Sequence, residues 1–300
     1  MRAELREKLR LGRAGPVSRR VARAITRTAP VRRVDWVAYA VIGRPRGHAE
    51  PVVARRYGAR FALSLADDID RLLYLDTYER LALKHTLAVV ERGDVVVDVG
   101  ANIGLYSLAS AARGATVRSF EPVPPTADRF ERNLALNPDF TGRVRLTRAA
   151  VSDAPGELTL HAESFESYSG HASAYTIAPE GADSVTVPTV TLDDELADVE
   201  GPVKLMKIDV EGHEPAVLRG AGASFERLRP EYLLVEAEDD HLRAGGSSAD
   251  ELLRQVQELG YRELGGYTLH SGLWPHTSPE VVDLPLPRGI AQSVLFRRAS

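Results

Sequence analysis

The 300-residue chain contains no cysteine. This absence excludes disulfide bonds, cysteine-ligated zinc, iron–sulfur clusters and a cysteine nucleophile. Long apolar runs are also missing: the longest, Trp36–Ile42, covers seven residues, whereas a membrane-spanning helix needs about 20. Because no secretory signal pattern is found either, we predict a cytoplasmic protein without a transmembrane helix.

Disorder of the whole chain is excluded, since 44% of the residues are hydrophobic and 27% are charged. The charges are unevenly distributed. Residues 1–60 contain 16 Lys/Arg and four Asp/Glu, a net charge of +12, so the remaining 240 residues carry −16 of the total of −4. We therefore predict a basic, partly helical appendage over residues 1–66 and a second domain over residues 67–300.

From residue 67 onwards, runs with strand composition alternate with runs that have the apolar spacing of helices. The predicted strands are 95–99, 116–120, 144–150, 157–161, 184–190, 203–208, 232–236, 261–264 and 293–297. The predicted helices are 67–90, 105–112, 126–136, 215–219 and 249–259. This alternation is typical of βαβ units and predicts an α/β protein with a mostly parallel sheet.

The first strand of this series ends in a glycine-containing turn that leads into a helix. Asp98, Gly100 and Gly104 lie in this turn, and Glu121 ends the next strand. Glycines here let the backbone turn tightly and approach a ligand, and the helix N-terminus offers free N–H groups. The pattern predicts a nucleotide-like ligand at the carboxyl edge of the sheet.

The details of the turn restrict the kind of nucleotide. The Walker pattern is absent, and Asp-x-Gly-x-x-x-Gly replaces the Gly-x-Gly-x-x-Gly pattern of dinucleotide-binding proteins. An aspartate would repel a pyrophosphate but suits the sulfonium and ammonium groups of S-adenosylmethionine. Glu121 is placed to accept hydrogen bonds from both ribose hydroxyls.

Several blocks in this order resemble the FkbM family of S-adenosylmethionine-dependent methyltransferases over about residues 77–240. The blocks are Gly93–Gly104, Phe120–Pro122, Asn133–Asn137, Ala150–Asp153, Lys207–Glu214, Leu218–Ala221 and Pro230–Glu236. The resemblance implies a class I methyltransferase fold, a doubly wound, mostly parallel sheet of seven strands. It also implies O-methyl transfer to a small-molecule or glycan hydroxyl, as in a sugar, glycolipid or secondary metabolite, with no nucleic acid partner.

Three further residues are candidate cofactor contacts. Asn102 either contacts the cofactor or serves the turn, because asparagine tolerates the left-handed backbone. Ala150 and Val151, at the end of the third strand, either flank the adenine or simply fill the core. Asp98 could likewise act only as a helix cap.

Asp209, Glu211 and His213 follow the fourth strand with a spacing of two residues. In an extended segment all three would face the crevice. His213 could be a general base that Glu211 orients, the three could ligate a divalent metal, or Glu211 and His213 could hold the loop and the next helix. We predict these three as the catalytic residues and assign no metal ligand.

Other residues receive weaker interpretations. Glu236, at the end of the fifth strand, could contact the acceptor or pair with Lys207. The remaining histidines without a companion pattern are predicted to lie on the surface or in loops; they are His161, His171, His241, His270 and His276.

Two rival functions stay open from sequence: a non-catalytic nucleotide-fold binding module, and an NAD-dependent oxidoreductase, which the missing glycine pattern disfavours. The basic appendage has its own alternatives. It could form a lid or a dimer contact on the acceptor side, or lie on an anionic membrane surface.

Overall fold

The computed structural model describes residues 50–162, 175–176, 184–267 and 293–299. Most of the basic appendage and its predicted roles therefore lie outside the described residues, as do His171, His270 and His276. No helix within the described ranges is both long and apolar enough to cross a membrane. The cytoplasmic location stays a prediction.

Thirteen strands and nine α-helices are found in the described ranges. The strands are β1 (Val52–Arg56), β2 (Ala59–Leu63), β3 (Val95–Val99), β4 (Thr116–Phe120), β5 (Val144–Thr147), β6 (Ala150–Val151), β7 (Gly156–Ala162), β8 (Tyr175–Thr176), β9 (Ser184–Val190), β10 (Val203–Ile208), β11 (Tyr232–Glu236), β12 (Tyr261–Tyr267) and β13 (Ser293–Arg298). The helices are α1 (Asp68–Leu75), α2 (Arg80–Val89), α3 (Leu105–Ala112), α4 (Pro124–Ala135), α5 (Leu192–Glu195), α6 (Glu214–Arg219), α7 (Gly222–Leu228), α8 (Asp239–Ala244) and α9 (Ala249–Glu258).

Seven strands form the main sheet in the order β12-β13-β11-β10-β3-β4-β5. The pairs from β11 to β5 are parallel, and β13 is antiparallel to both β11 and β12. The chain first adds β4 and β5 on one side of β3 and later returns to place β10 on the other side. This reversal between β3 and β10 is the position where open α/β sheets bind ligands.

Two apolar layers enclose the sheet. One includes residues of α2 and α3, and the other includes residues of α6, α7 and α9. β3 reads Val-Val-Val-Asp-Val, with its last four residues buried, as expected for a strand covered on both faces. The doubly wound, mostly parallel, seven-stranded sheet predicted from sequence is confirmed.

The helix predicted over residues 67–90 is two helices. α1 begins after Asp67, whose side chain accepts a hydrogen bond from Asp70 N. It ends at Leu75, and the next residue, Asp76, is left-handed (φ 64°). α2 begins after Glu79, which is also left-handed (φ 43°). Apolar spacing continues across this break, so periodicity alone did not reveal it. The break brings Tyr78 and Glu79 to the ligand-binding edge of the sheet.

The strand predicted over residues 144–150 is also divided. β5 belongs to the main sheet, whereas β6 pairs with β9 in a second sheet of order β6-β9-β7-β8. Leu160 and Val187 of this second sheet pack with Val123 and Ala150. The second sheet thus lies beside the carboxyl edge of the first.

The hairpin β1–β2 occupies residues 52–63, which the predicted boundary at residue 66 assigns to the appendage. Phe61 and Leu63 are fully buried in the core that also contains residues of α2 and α3. Asn133 of α4 accepts a hydrogen bond from Ala62 N at 2.8 Å. The hairpin therefore packs as part of the sheet domain.

Candidate active site

A cleft of about 280 Å³ opens at the carboxyl edge of the main sheet, beside the ends of β3 and β10. Eight of the ten predicted site residues line it: Gly100, Asn102, Glu121, Ala150, Val151, Asp209, Glu211 and His213. Side chains other than these ten also line it, among them Tyr78, Glu79, Tyr106, Leu158, Leu160, Lys207 and Glu236. The two predicted residues outside this lining are Asp98 and Gly104.

Gly100 brings the backbones after β3 and β10 into contact. Its φ is +77°, and a Cβ placed on it would lie 1.8 Å from the carbonyl oxygen of Asp209. No side chain fits there, so glycine is required by both conformation and space. The close contact between the backbones of Gly100 and Asp209 forms the base of the cleft.

Glu121 organises the turn that follows β3. Its Oε2 accepts a hydrogen bond from Asn102 N, and its Oε1 accepts one from Val123 N, each at 2.9 Å. Asn102 is left-handed (φ 50°), as asparagine tolerates. Burial raises the pKa of Glu121 to about 7, although both hydrogen bonds oppose the shift. This carboxylate on the cleft wall suits the hydroxyl groups of a ribose.

Asp98, a predicted cofactor contact, does not line the cleft. It is completely buried, and its Oδ2 accepts a hydrogen bond from Ser107 Oγ at 2.5 Å. It stands behind the cleft because its side chain points from β3 towards α3. Its Oδ1 has no hydrogen-bond partner within the described ranges, and burial raises its pKa.

Gly104 also lies outside the cleft lining. It precedes α3 with φ +89°, and a Cβ placed on it would lie 2.9 Å from the ring of Phe130. Its small size lets α3 pack against α4. Gly104 therefore serves helix packing rather than lining the cleft.

One wall of the cleft is apolar. Ala150 and Val151 of β6 lie there with Leu158 and Leu160 of β7. Ala150 and Val151 are buried. Such a wall suits a flat aromatic ring, for which apolar and dispersion contacts supply most of the binding free energy.

A buried charge cluster lies between β3 and β10. Lys207 Nζ donates to Asp209 Oδ2 at 2.6 Å and lies 5.1 Å from the centre of the Tyr106 ring. Tyr106 donates its hydroxyl to Glu79 Oε2 at 2.6 Å. Burial opposes the charged form of Lys207, but the carboxylates of Asp209 and Asp98 outweigh it and raise its pKa. Burial and the neighbouring Asp209 raise the pKa of Glu79.

The loop after β10 is a tight turn and not the extended segment expected from sequence. Glu211 and Gly212 have positive φ values of 54° and 100°, and His213 N donates to Val210 O at 3.3 Å. The backbone thus reverses between Asp209 and His213. All three predicted side chains still line the cleft, but the turn gives each a different partner.

His213 pairs with Ser152 rather than with Glu211. Its Nε2 lies 3.0 Å from Ser152 Oγ, and no partner for its Nδ1 is found among the described residues. Burial lowers the pKa of the imidazole, so its neutral form is favoured. A neutral imidazole on the cleft wall can accept a proton.

Glu211 pairs with a histidine that sequence analysis assigned to the surface or to a loop. Its Oε2 lies 2.7 Å from His241 Nδ1, and Glu211 N donates to Glu236 Oε2 at 3.2 Å. His241 belongs to α8, 30 residues further along the chain, so no local spacing indicated the contact. Glu236 does not pair with Lys207, whose ion-pair partner is Asp209.

The fold and the cleft fit S-adenosylmethionine. Glu121 suits its ribose, the apolar wall its adenine, and the carboxylates near Lys207 its positively charged methionine end. Together with the sheet order, these features define a class I S-adenosylmethionine-dependent methyltransferase.

The comparison with known families agrees. The Methyltransferase FkbM domain matches residues 98–263, and the chain belongs to this family. It is 32% identical over 205 residues to hexuronic acid methyltransferase AglP of Haloferax volcanii, covering 67% of this chain and 79% of that protein. It is 30% identical over 190 residues to 31-O-demethyl-FK506 methyltransferase FkbM of Streptomyces tacrolimicus, covering 53% of this chain and 72% of that protein.

Solved structures show weaker overall similarity. Methyltransferase FkbM from Methylobacillus flagellatus is 15% identical with a TM-score of 0.43, covering 77% of this chain and 55% of that one. Magnesium protoporphyrin IX methyltransferase from Synechocystis, solved with bound S-adenosylmethionine, is 10% identical with a TM-score of 0.43. The match covers 77% of this chain and 84% of that one.

Proposed function

We propose that this methyltransferase is an O-methyltransferase that acts on a hydroxyl group of a sugar, a glycolipid or a secondary metabolite. S-adenosylmethionine, when bound, supplies a methyl group already activated by its sulfonium. The observation that carries the proposal is the placement of His213. Burial lowers the pKa of its imidazole and so favours the neutral form. The imidazole is paired through Nε2 with Ser152 and lies on the wall of the cleft that Glu121 and Gly100 also line.

The residues that bind the cofactor follow from the chemistry of the cleft. We assign the ribose to Glu121, the adenine to Ala150 and Val151, and the close backbone approach to Gly100 and Asn102. The cationic methionine end then meets the acidic group around Asp209. Asp98 and Gly104 support this site from behind without touching the ligand.

Catalysis rests mainly on alignment. Holding the acceptor oxygen in line with the methyl group can lower the barrier by roughly 7–11 kcal/mol. A general base contributes a further factor of about 10²–10⁴. We assign the role of general base to His213, with Ser152 as its positioning residue. Asp209 and Glu211 lie at the border of the acceptor region.

The acceptor class is supported by two observations. The similar proteins from Haloferax and Streptomyces are named for a hexuronic acid and for an O-demethyl compound, both small molecules. The cleft itself is lined by Glu79, Asp209, Glu211 and Glu236, with Lys207 buried among them. This acidic lining would repel a phosphate backbone, which supports a small-molecule or glycan acceptor rather than nucleic acid.

The test is turnover on a panel of hydroxylated glycosides and secondary metabolites, with S-adenosylmethionine as donor and mass spectrometry as readout. We expect one acceptor class to gain a methyl group and His213→Ala to lose most of the rate. His85→Ala is the matched control, because His85 bonds to Tyr267 at 2.9 Å and does not line the cleft.

The rival functions give different results in the same experiment. A binding module would bind S-adenosylhomocysteine and methylate no acceptor of the panel. An NAD-dependent oxidoreductase would bind NAD, which the cleft of a methyltransferase should not. Methyl transfer to a nitrogen or carbon atom would contradict the hydroxyl assignment.

A further inference from the structure

We propose that Glu211, Glu236 and His241 bind a divalent cation, and that this cation holds two adjacent oxygen atoms of the acceptor. The second half of this proposal rests on the proposed function, whereas cation binding itself does not. The three residues come from the loop after β10, the end of β11 and helix α8. They were not grouped by any sequence pattern.

The first argument is geometric. One ligand atom from each residue, a carboxylate oxygen of both glutamates and a ring nitrogen of His241, lie within 4.8 Å of one another. Metal ligands in proteins lie about 2.0–2.2 Å from the ion, so two ligands of one ion are separated by up to about 4 Å. The cluster needs only a small adjustment to reach this spacing.

The backbone holds the three elements together. Glu211 N donates to Glu236 Oε2 at 3.2 Å, which fixes the loop against the end of β11. A Cβ placed on Gly212 would lie 2.4 Å from the carbonyl oxygen of His241, so the loop and α8 touch directly. The backbone of Glu211 has a strained left-handed conformation (φ 54°), and the carboxylate of this residue contacts His241. A site assembled by backbone contacts in this way is already formed before any ligand arrives.

The second argument is electrostatic. Glu236 is 7% exposed and shares this part of the cleft with Glu211 and Asp209. Lys207 is engaged by Asp209 at 2.6 Å. A divalent cation would relieve the repulsion between the glutamates, and such relief is a main source of cation affinity in carboxylate sites.

The donor set also indicates the kind of ligand. Two carboxylates and one imidazole suit a divalent ion such as Mn²⁺ or Zn²⁺. Three protein ligands leave coordination positions for oxygen atoms from outside the protein. Since Glu211 and Glu236 line the cleft, these positions are accessible to an acceptor. A sugar with adjacent hydroxyls, or with a hydroxyl beside a carboxylate, offers two oxygens at the right spacing.

The cation would also resolve a conflict of charge. An acidic cleft repels an anionic sugar, yet a similar protein is named for a hexuronic acid. A cation between the glutamates and the acceptor turns this repulsion into attraction. The proposal therefore predicts that the acceptor is recognised through the cation and not by a basic side chain.

Binding is tested on the full chain with Mn²⁺ as the probe, by the loss of the electron paramagnetic resonance signal of free Mn²⁺. We expect one saturable site per chain. Glu211→Gln and His241→Gln should each weaken it at least about tenfold. Glu231→Gln is the matched control, since Glu231 precedes β11 at the opposite end of the strand and pairs with Lys204 at 2.6 Å.

The two test residues are partly exposed, with 31% and 21% of their side chains accessible, so both variants should fold. Melting temperature and the stabilisation by S-adenosylhomocysteine check this for each protein. An absence of saturable Mn²⁺ binding in the wild type overturns the proposal. So does Mn²⁺ binding that is as tight in both site variants as in the wild type.

The role in acceptor binding is measured separately, with S-adenosylhomocysteine bound and an acceptor found in the turnover panel. Mn²⁺ should tighten acceptor binding to the wild type and to Glu231→Gln but not to His241→Gln. Equal acceptor affinity with and without Mn²⁺ overturns the proposal that the cation holds the acceptor. If Mn²⁺ binds as expected while no hydroxyl acceptor is methylated, the cation site stands and the proposed function fails.

Discussion

The hydroxyl of Ser152 lies 3.0 Å from Nε2 of His213 and so joins the end of the second sheet to the loop after β10. Ser152 N also donates to Val190 O of β9 at 2.8 Å. The imidazole is therefore held by a residue whose own backbone is fixed. This link is the structural basis for treating Ser152 as a positioning residue.

Loss of this link should lower kcat. We expect His213→Ala to reduce kcat by about 10²–10⁴-fold, the usual contribution of a general base. Ser152→Ala should reduce it less, because the imidazole remains but is no longer held. Neither change should alter the affinity for S-adenosylhomocysteine, measured by calorimetry.

Ser152→Thr supplies the control for Ser152, because it retains a hydroxyl and should recover most of the rate. A structural role alone would lower the melting temperature of Ser152→Ala and leave kcat unchanged. That result would contradict the positioning role of Ser152, whereas full activity of His213→Ala would remove His213 from the catalytic group.

Replacing Gly100 with alanine should be far more harmful than replacing Gly93. Both glycines have positive φ values, +77° and +91°, but a Cβ at Gly93 meets nothing within 4 Å. Gly93→Ala should therefore cost only the left-handed conformation, about 1–2 kcal/mol. Gly100→Ala adds a clash with the backbone of Asp209, at least about 1–3 kcal/mol more.

Urea unfolding measures these two free energies, and S-adenosylhomocysteine binding shows whether the cleft survives. We expect Gly100→Ala to lose binding and Gly93→Ala to retain it. Equal stability and equal binding of the two variants would mean that the contact between Gly100 and Asp209 does not shape the cleft.

Glu121 should make stability depend on pH in a defined direction. Its pKa is raised by burial from 4.5 to about 7, so the folded protein without ligand holds a proton that the unfolded chain releases. The stability from this group is complete below about pH 4.5 and is lost as pH rises through about 7. The Glu121→Gln side chain does not ionise, so this variant does not lose stability from this group as the pH rises.

The measurement is urea unfolding of the wild type and Glu121→Gln at several pH values. We expect the variant to gain about 1–3 kcal/mol relative to the wild type between pH 5 and pH 8, because one pKa unit corresponds to about 1.4 kcal/mol. Glu131→Gln, at an exposed ion pair with Arg148, should show no such trend. A constant difference between wild type and Glu121→Gln would contradict the raised pKa.

Two truncations should separate the hairpin from the residues before it. Removing residues 1–66 deletes β1 and β2, with the buried side chains of Phe61 and Leu63 and the hydrogen bond from Arg56 Nε to Leu73 O at 2.8 Å. Each large apolar side chain contributes about 2–5 kcal/mol, against a total stability of about 5–15 kcal/mol. We expect this protein to lose cooperative unfolding.

Removing residues 1–49 leaves the hairpin in place, so S-adenosylhomocysteine should still raise the melting temperature. Turnover by this shorter protein tests the predicted lid. If the deleted residues form a lid over the acceptor, the shorter protein should bind the cofactor but transfer no methyl group. Cooperative unfolding after removal of residues 1–66 would show that the hairpin is dispensable.

The sequence by itself determined the central sheet and its cofactor class. The ranges of β3, α3, β4, β9, β10 and β11 were predicted with the bounds that the structure has. These segments have strong local signals, namely buried valine runs, helical apolar spacing and glycine turns. The residues at the carboxyl ends of the strands could be placed at one edge because parallel strands meet there.

Tertiary structure alone decided which of these residues face the ligand and what each one contacts. Local spacing placed Asp98 in the cleft and Glu211 beside His213. Instead, Asp98 accepts a hydrogen bond from Ser107 of α3, and Glu211, in a left-handed turn, contacts His241. His241 joined the site across 30 residues, and Glu79 reached it through a break that apolar spacing did not reveal. Contacts between distant segments depend on packing, and packing leaves no periodic trace in the chain.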